Sequence, residues 1–167
     1  HHRPPSCLMS YFQDKITFAI VRHPTLRFIS EFCWRNRYLS WNLSPEQLLT
    51  KMELTIEKLV NGNAPPQRFD CHLVPQVTYT EFADFVLYFE RLEEDFDCLN
   101  ELLIRQDVKV PHENRSPDTC TQRLTFRDLS PEGLQKLEEF YAADFERFGY
   151  RRFSTGVAAD PGSDGST

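Results

Sequence analysis

The sequence predicts an α/β fold, and three observations carry that expectation. A short apolar run rich in β-branched residues, Ile16 to Val21, stops at a turn and gives way to a helical repeat. A second apolar run, Phe85 to Phe89, is followed just as directly by a helical stripe of Leu92, Phe96, Leu99 and Leu103. The hydrophobic fraction is 40%, with 14 phenylalanines among 167 residues, which is enough to pack one domain core and argues against global disorder.

The first unit is the most informative. Ile16 to Val21 reads as a buried strand, with Arg22 and His23 where it stops. Pro24 follows, and proline suits the first helical position, where an N–H has no intrahelical partner. Leu26, Ile29 and Cys33 recur three and four apart, so the spacing predicts a helix over about 24–38 with one face buried. Open α/β sheets bind ligands outside the carboxyl ends of their strands, which puts Arg22 at the ligand edge. A helix start adds unpaired N–H groups and a partial positive charge, both favourable to an anion. Ser30 lies roughly 9 Å up the helix from Pro24, at about 1.5 Å per residue. A guanidinium and a hydroxyl so placed can grip a phosphate, the arginine by a charge-assisted fork and the serine as one donor. The same two residues also suit a surface arginine and a helix serine packed beside the sheet.

Arg35, Arg37, Tyr38 and Trp41 then form either a solvated helix end with anchoring rings or a patch for an anionic, stackable saccharide. Ser44-Pro45-Glu46-Gln47 opens a second helix, with serine as cap, proline in the first turn and glutamine completing a capping box. Leu48, Met52, Ile56 and Leu59 are its buried stripe, and Asn61-Gly62 ends it. Residues 63–70 are loop by composition, and His72 beyond them reads as a hydrogen-bonded structural residue. Glu90, Glu93, Glu94 and Asp95 open the helix after the second strand, where carboxylates complement the helix dipole. Residues 108–110 suit a short edge strand and 111–117 a loop. Ser130-Pro131-Glu132 opens the last helix, lined by Leu134, Leu137, Tyr141 and Phe145, with Gly149 as a natural residue to end it. From Ser154 the composition turns to Gly, Ser, Asp and Ala, so the expected division is one domain over 1–153 and a disordered tail over 154–167.

A net charge of −6 disfavours a nucleic-acid partner held by bulk electrostatics. No apolar run approaches the roughly 20 residues that span a bilayer. The chain begins His1-His2-Arg3, with neither a methionine nor a signal-peptide pattern, and reads as lacking its natural N-terminus. The five cysteines, Cys7, Cys33, Cys71, Cys98 and Cys120, make no C-x-x-C pair, and an odd, scattered set argues against a complete disulfide framework. Cys33 and Cys98 fall on apolar helix faces and read as small buried hydrophobes.

Val21-Arg22-His23-Pro24, followed by Arg27, Ser30, Glu31 and Phe32, resembles the 3′-phosphate-binding motif of sulfotransferases that use PAPS (3′-phosphoadenosine 5′-phosphosulfate), in the carbohydrate branch called sulfotransferase family 2. Three later stretches match that family in order. They are His72-Leu73-Val74-Pro75-Gln76, the junction Glu90-Arg91-Leu92-Glu93-Glu94-Asp95-Phe96, and Tyr141 to Tyr150 with its Asp144-Phe145 and Phe148-Gly149-Tyr150. Pro111-His112-Glu113-Asn114-Arg115-Ser116 resembles a further element. The resemblance covers about residues 8 to 152. It implies a three-layer sandwich like that of P-loop NTPases, a parallel sheet flanked by helices. It also implies transfer of a sulfuryl group from PAPS to a carbohydrate hydroxyl without a metal, with Arg22 and Ser30 as 3′-phosphate ligands.

Relatives carry a catalytic histidine some twenty residues before that arginine, and His2 stands 20 residues before Arg22. An imidazole with an ordinary pKa of about 6.5 suits the acceptor-side base. His1 and His2 equally suit a frayed terminus or a tag remnant. The resemblance fails at one place. The family's first strand carries a P-K-x-G-(S/T) loop for the 5′-phosphosulfate, yet none of Lys15, Lys51, Lys58, Lys109 and Lys136 has glycine two residues on. The expectation is therefore a fold missing its first strand and phosphosulfate loop, either as a fragment of the enzyme or as a non-catalytic relative that keeps nucleotide or protein binding. Relatives are Golgi-lumenal on a membrane stem in eukaryotes and often soluble in bacteria, so the resemblance leaves the compartment open.

Overall fold

The computed structural model describes residues 14–37, 42–63, 72–104 and 124–154. His2, Cys7, Tyr38, Trp41, Cys71, Cys120, the segments 64–70, 108–110 and 111–117, and the tail beyond Ser154 lie outside the described residues. The order of elements is β1 (Phe18–Val21), α1 (Pro24–Arg35), α2 (Pro45–Val60), α3 (Val77–Thr80), β2 (Phe85–Tyr88), α4 (Leu92–Leu99), α5 (Pro131–Phe140) and α6 (Ala142–Phe148). The strands pair in parallel, from Phe18 opposite Phe85 to Val21 opposite Tyr88. Parallel neighbours need a long crossover, and α1, α2 and α3 supply it. The fold is thus a small parallel sheet flanked by helices, and among the described residues the sheet has two strands.

Polar contacts set the start of the sheet. The Thr17 N–H donates to Asp84 Oδ2 at 2.8 Å, and the Asp84 and Phe85 N–H groups donate back to the Thr17 carbonyl at 3.0 and 3.2 Å. The strand therefore begins at Phe18, two residues later than the apolar run suggests. It is not buried throughout either. Ile16, Phe18 and Ile20 alternate along one side and stay 60%, 46% and 42% exposed, whereas Val21 is sealed.

Helix α1 stops at Arg35, short of the expected residue 38, because Asn36 turns its side-chain amide back to the Phe32 carbonyl at 2.7 Å. Its buried face is Thr25, Phe28, Ile29, Phe32 and Cys33, and Leu26 is only half-buried. Helix α2 follows its sequence closely: Ser44 and Gln47 close the capping box, and Leu48, Met52, Ile56 and Leu59 are buried. That stripe packs on Leu134, Leu137 and Tyr141, and with α1 makes the main core.

Three further expectations change. The last helix is broken at Tyr141 into α5 and α6, although all four lining residues remain buried. Tyr141 leaves the helical backbone and sends its hydroxyl to the Leu73 carbonyl at 2.9 Å. Beyond α4 the chain winds into a π-helical turn, Asn100–Ile104, which leaves Leu103 partly exposed and off the expected stripe. Cys33 is buried but disulfide-bonded, its partner outside the described residues, while Cys98 is an exposed free thiol. Helix spacing thus places Cys33 correctly in the core without revealing its disulfide, and it misplaces Cys98.

Candidate functional site

The site is built where β1 ends and α1 begins. Val21 is fully buried, and Arg22 follows it at the carboxyl edge of the sheet. Both backbone groups of Arg22 are held by one side chain. The Arg22 N–H donates to Gln76 Oε1 at 2.9 Å, and Gln76 Nε2 donates to the Arg22 carbonyl at 2.8 Å. The guanidinium lies 4.6 Å above the centre of the Phe89 ring, which is half exposed at the end of β2. No carboxylate forms an ion pair with it among the described residues. Burial pulls the Arg22 pKa below its ordinary value, and the nearby Glu90 charge partly restores it. An arginine stays charged regardless, so this is a half-desolvated cation without a direct counter-ion.

Helix α1 starts with Pro24 and has no side-chain cap and no acidic residue in its first turn, and Glu90, from just beyond β2, brings a carboxylate to its start by accepting the His23 N–H at 2.8 Å. Ser30 sits two turns along α1, half-buried, and its hydroxyl has no hydrogen-bond partner among the described residues. The structure thus places Arg22 at the helix start and Ser30 further up the same helix. The two make no hydrogen bond to each other.

His23, the residue between the strand and the helix, is buried. Its N–H donates to Glu90 Oε1 at 2.8 Å, and Tyr150 Oη donates to Glu90 Oε2 at 2.8 Å. Glu90 therefore serves the start of α1, a role that the dipole of the following helix does not explain. The His23 ring pairs through Nε2 with the Arg151 carbonyl at 2.9 Å, which makes Nε2 the protonated nitrogen. The ring stacks on Phe153 at 4.3 Å and meets Phe145 and Tyr150 edge-on. Burial lowers the His23 pKa, so the imidazole is neutral. Phe153 and Ser154 are in turn fixed by the fully buried Glu138 carboxylate, which accepts the Phe153 N–H at 2.7 Å and the Ser154 N–H at 3.2 Å.

Arg27, although part of the motif, faces inward to the chain. It donates to the His72 and Val74 carbonyls and to Tyr79 Oη at 3.2 Å, and it lies 5.6 Å from the centre of the Tyr141 ring. It stitches residues 72–76 to α1. His72 pairs with Glu31 at 2.9 Å, as a structural histidine does, and Glu31 also accepts from Arg35 Nε at 2.8 Å. Glu31 and Arg35 border a cavity of about 260 Å³ between α1 and α2, floored by Phe28, Phe32 and Leu73.

Sequence reasoning missed Gln76, Asp144, Glu90 and Glu138 as the residues that hold the site. Gln76 and Asp144 stand within the family motifs, and that was their only signal. Their partners lie 54 and 68 residues away. Asp95, read as a dipole residue, also accepts the Tyr88 N–H at 2.7 Å and so ties β2 to α4. His2 lies outside the described residues, so the site here comprises Arg22, Ser30 and their supports. Among the described residues no helix is long and apolar enough to cross a membrane.

A small parallel sheet flanked by helices, with an arginine at the strand edge beside a helix start, defines an α/β domain with a candidate site at that edge. The chain matches the profile of the sulfotransferase family over residues 2–151, nearly its whole length, and it belongs to that family, in the branch called sulfotransferase family 2. It is a sulfotransferase domain, an enzyme class that moves sulfuryl groups from a donor to an acceptor. No curated protein and no solved structure matches it.

Proposed function

We propose that this domain transfers a sulfuryl group from PAPS to a hydroxyl of a carbohydrate acceptor, with Arg22 and Ser30 holding the donor's 3′-phosphate. The observation that carries the reading is the Arg22 guanidinium, half-desolvated, without a carboxylate partner, and placed beside the uncapped start of α1. A phosphate supplies what the guanidinium lacks, two negative oxygens for a fork. The Ser30 hydroxyl, unpartnered among the described residues, adds a donor.

In the reaction the acceptor oxygen bonds to sulfur as the bond from sulfur to the bridging 5′-phosphate oxygen breaks. The hydroxyl proton goes to a base, for which we propose His2, and the donor leaves as PAP (3′-phosphoadenosine 5′-phosphate). Charge gathers on the departing phosphate, so electrostatic stabilisation there governs the rate. A P-K-x-G-(S/T) loop that does this in relatives is not in this sequence. This chain therefore grips the ribose end of the donor, and transfer needs a lysine-bearing loop from elsewhere. The same absence favours a second reading, a domain that binds nucleotide without catalysis. The Cys33 disulfide suits an oxidising compartment, which supports a lumenal setting of the Golgi type over the cytoplasm.

Thermal unfolding with PAP tests the binding. A ligand at 100 times its Kd that binds only the folded state adds about 2.7 kcal/mol. The melting temperature should rise, and Arg22→Ala should abolish the rise. No shift at saturating PAP removes both nucleotide readings. Sulfuryl transfer to a saccharide by this chain alone removes the second.

A further inference from the structure

The placing of Arg22 depends on a side chain far away in sequence, and the role inferred for that side chain rests on Arg22 being the phosphate ligand. At the tip of β1, the Gln76 carboxamide offers an acceptor and a donor to the two backbone groups of Arg22, at 2.9 and 2.8 Å, much as a neighbouring peptide unit does. Gln76 is only 1% exposed. Its own N–H donates to Asp144 Oδ2 at 2.8 Å, and the Val77 N–H donates to Asp144 Oδ1 at 2.9 Å. Gln76 Nε2 lies 3.4 Å from the same carboxylate. Asp144 is fully buried on α6, and a carboxylate there needs such donors to stay charged. A chain of contacts thus runs from α6 through Gln76 to the backbone of Arg22. At the other end, Phe89 carries the guanidinium without neutralising it.

We infer that Gln76, locked by Asp144, is a positioning residue that presents Arg22 to the 3′-phosphate. Neither side chain touches the ligand. They fix the peptide from which the guanidinium projects, so the ordering cost of that peptide is met before the ligand arrives. The role is specific to the 3′-phosphate, because the grip falls on the residue that binds it.

The test is calorimetry of the wild-type chain, Gln76→Glu and Asp144→Asn with PAP and with adenosine 5′-phosphate, which lacks only the 3′-phosphate. Gln76→Glu keeps an acceptor for the Arg22 N–H, removes the donor to its carbonyl and sets a second carboxylate beside Asp144. PAP affinity should fall by about tenfold or more, while adenosine 5′-phosphate stays within about twofold, so the preference for the 3′-phosphate collapses. A folded variant that keeps the wild-type preference overturns the inference. A wild-type chain that shows no preference overturns the reading of Arg22 itself. Should both variants fail to fold, hydrogen exchange of the Arg22 amide in the wild type decides. Without ligand it should already be as slow as the amides of the core helices, and fast exchange of that amide in the ligand-free chain overturns the inference.

Discussion

Arg27 offers the sharpest test of what the motif residues do. Its guanidinium donates to two main-chain carbonyls, His72 and Val74, and to the Tyr79 hydroxyl. Arg27→Ala leaves those carbonyls without that donor in a half-buried site. Each such loss costs about 1–3 kcal/mol, so together they cost about 2–6 kcal/mol, with loss of packing on the Tyr141 ring in addition. A domain is typically stable by only about 5–15 kcal/mol, so the variant sits near its unfolding threshold. Arg27→Lys should lose roughly half as much, because an ammonium cannot span three acceptors in a plane. Urea unfolding at neutral pH, followed by circular dichroism, measures both. If Arg27→Ala is within about 0.5 kcal/mol of wild type yet no longer binds PAP, Arg27 is a ligand residue and its structural assignment is wrong.

His23 and Cys33 give two further expected outcomes. His23 is held neutral by burial, so its folded pKa lies below the ordinary value near 6.5. The unfolded chain then binds more protons as pH drops, and the stability from neutral His23 is complete above about 6.5 and is lost as pH falls toward the folded pKa, at no more than about 1.4 kcal/mol per pH unit. Urea midpoints from pH 7.5 to 5 should fall, and a His23→Gln variant should fall less; parallel curves contradict the assignment. Reducing the Cys33 disulfide should lower stability by about 2–4 kcal/mol, read as a drop in melting temperature with reductant that a Cys33→Ala variant does not share.

What the sequence disclosed was local. The capping box of α2 is written in Ser44 and Gln47, three residues apart, and it formed as spaced. The turn at Arg22, His23 and Pro24 and the left-handed Gly149 that ends α6 were legible for the same reason, since each depends on one residue's own backbone preference. Nothing local marks the break at Tyr141, because Leu134, Leu137, Tyr141 and Phe145 keep one continuous stripe across it. The break serves a contact with Leu73, 68 residues away. The clamp of Gln76 on Arg22 and the seat of Asp144 are of that kind too, as is the bond of Glu90 to His23, 67 residues apart. Periodicity reports which side of a helix is apolar, not which distant amide a buried carboxylate will meet. The exposed side of β1 escaped for a related reason, since apolar residues in a strand look the same whether or not something lies over them.

The segment Arg151 to Ser154 has a practical consequence. Its carbonyl, ring and amides are spoken for by His23, Phe126 and Glu138, so this segment covers the buried imidazole next to Arg22. Trimming the chain at Tyr150 would strip the cover from the imidazole and leave the Glu138 carboxylate facing no donors. Tags and fusions belong beyond residue 154, and a shortened chain that loses nucleotide affinity would trace the fault to this seam before blaming the phosphate ligands.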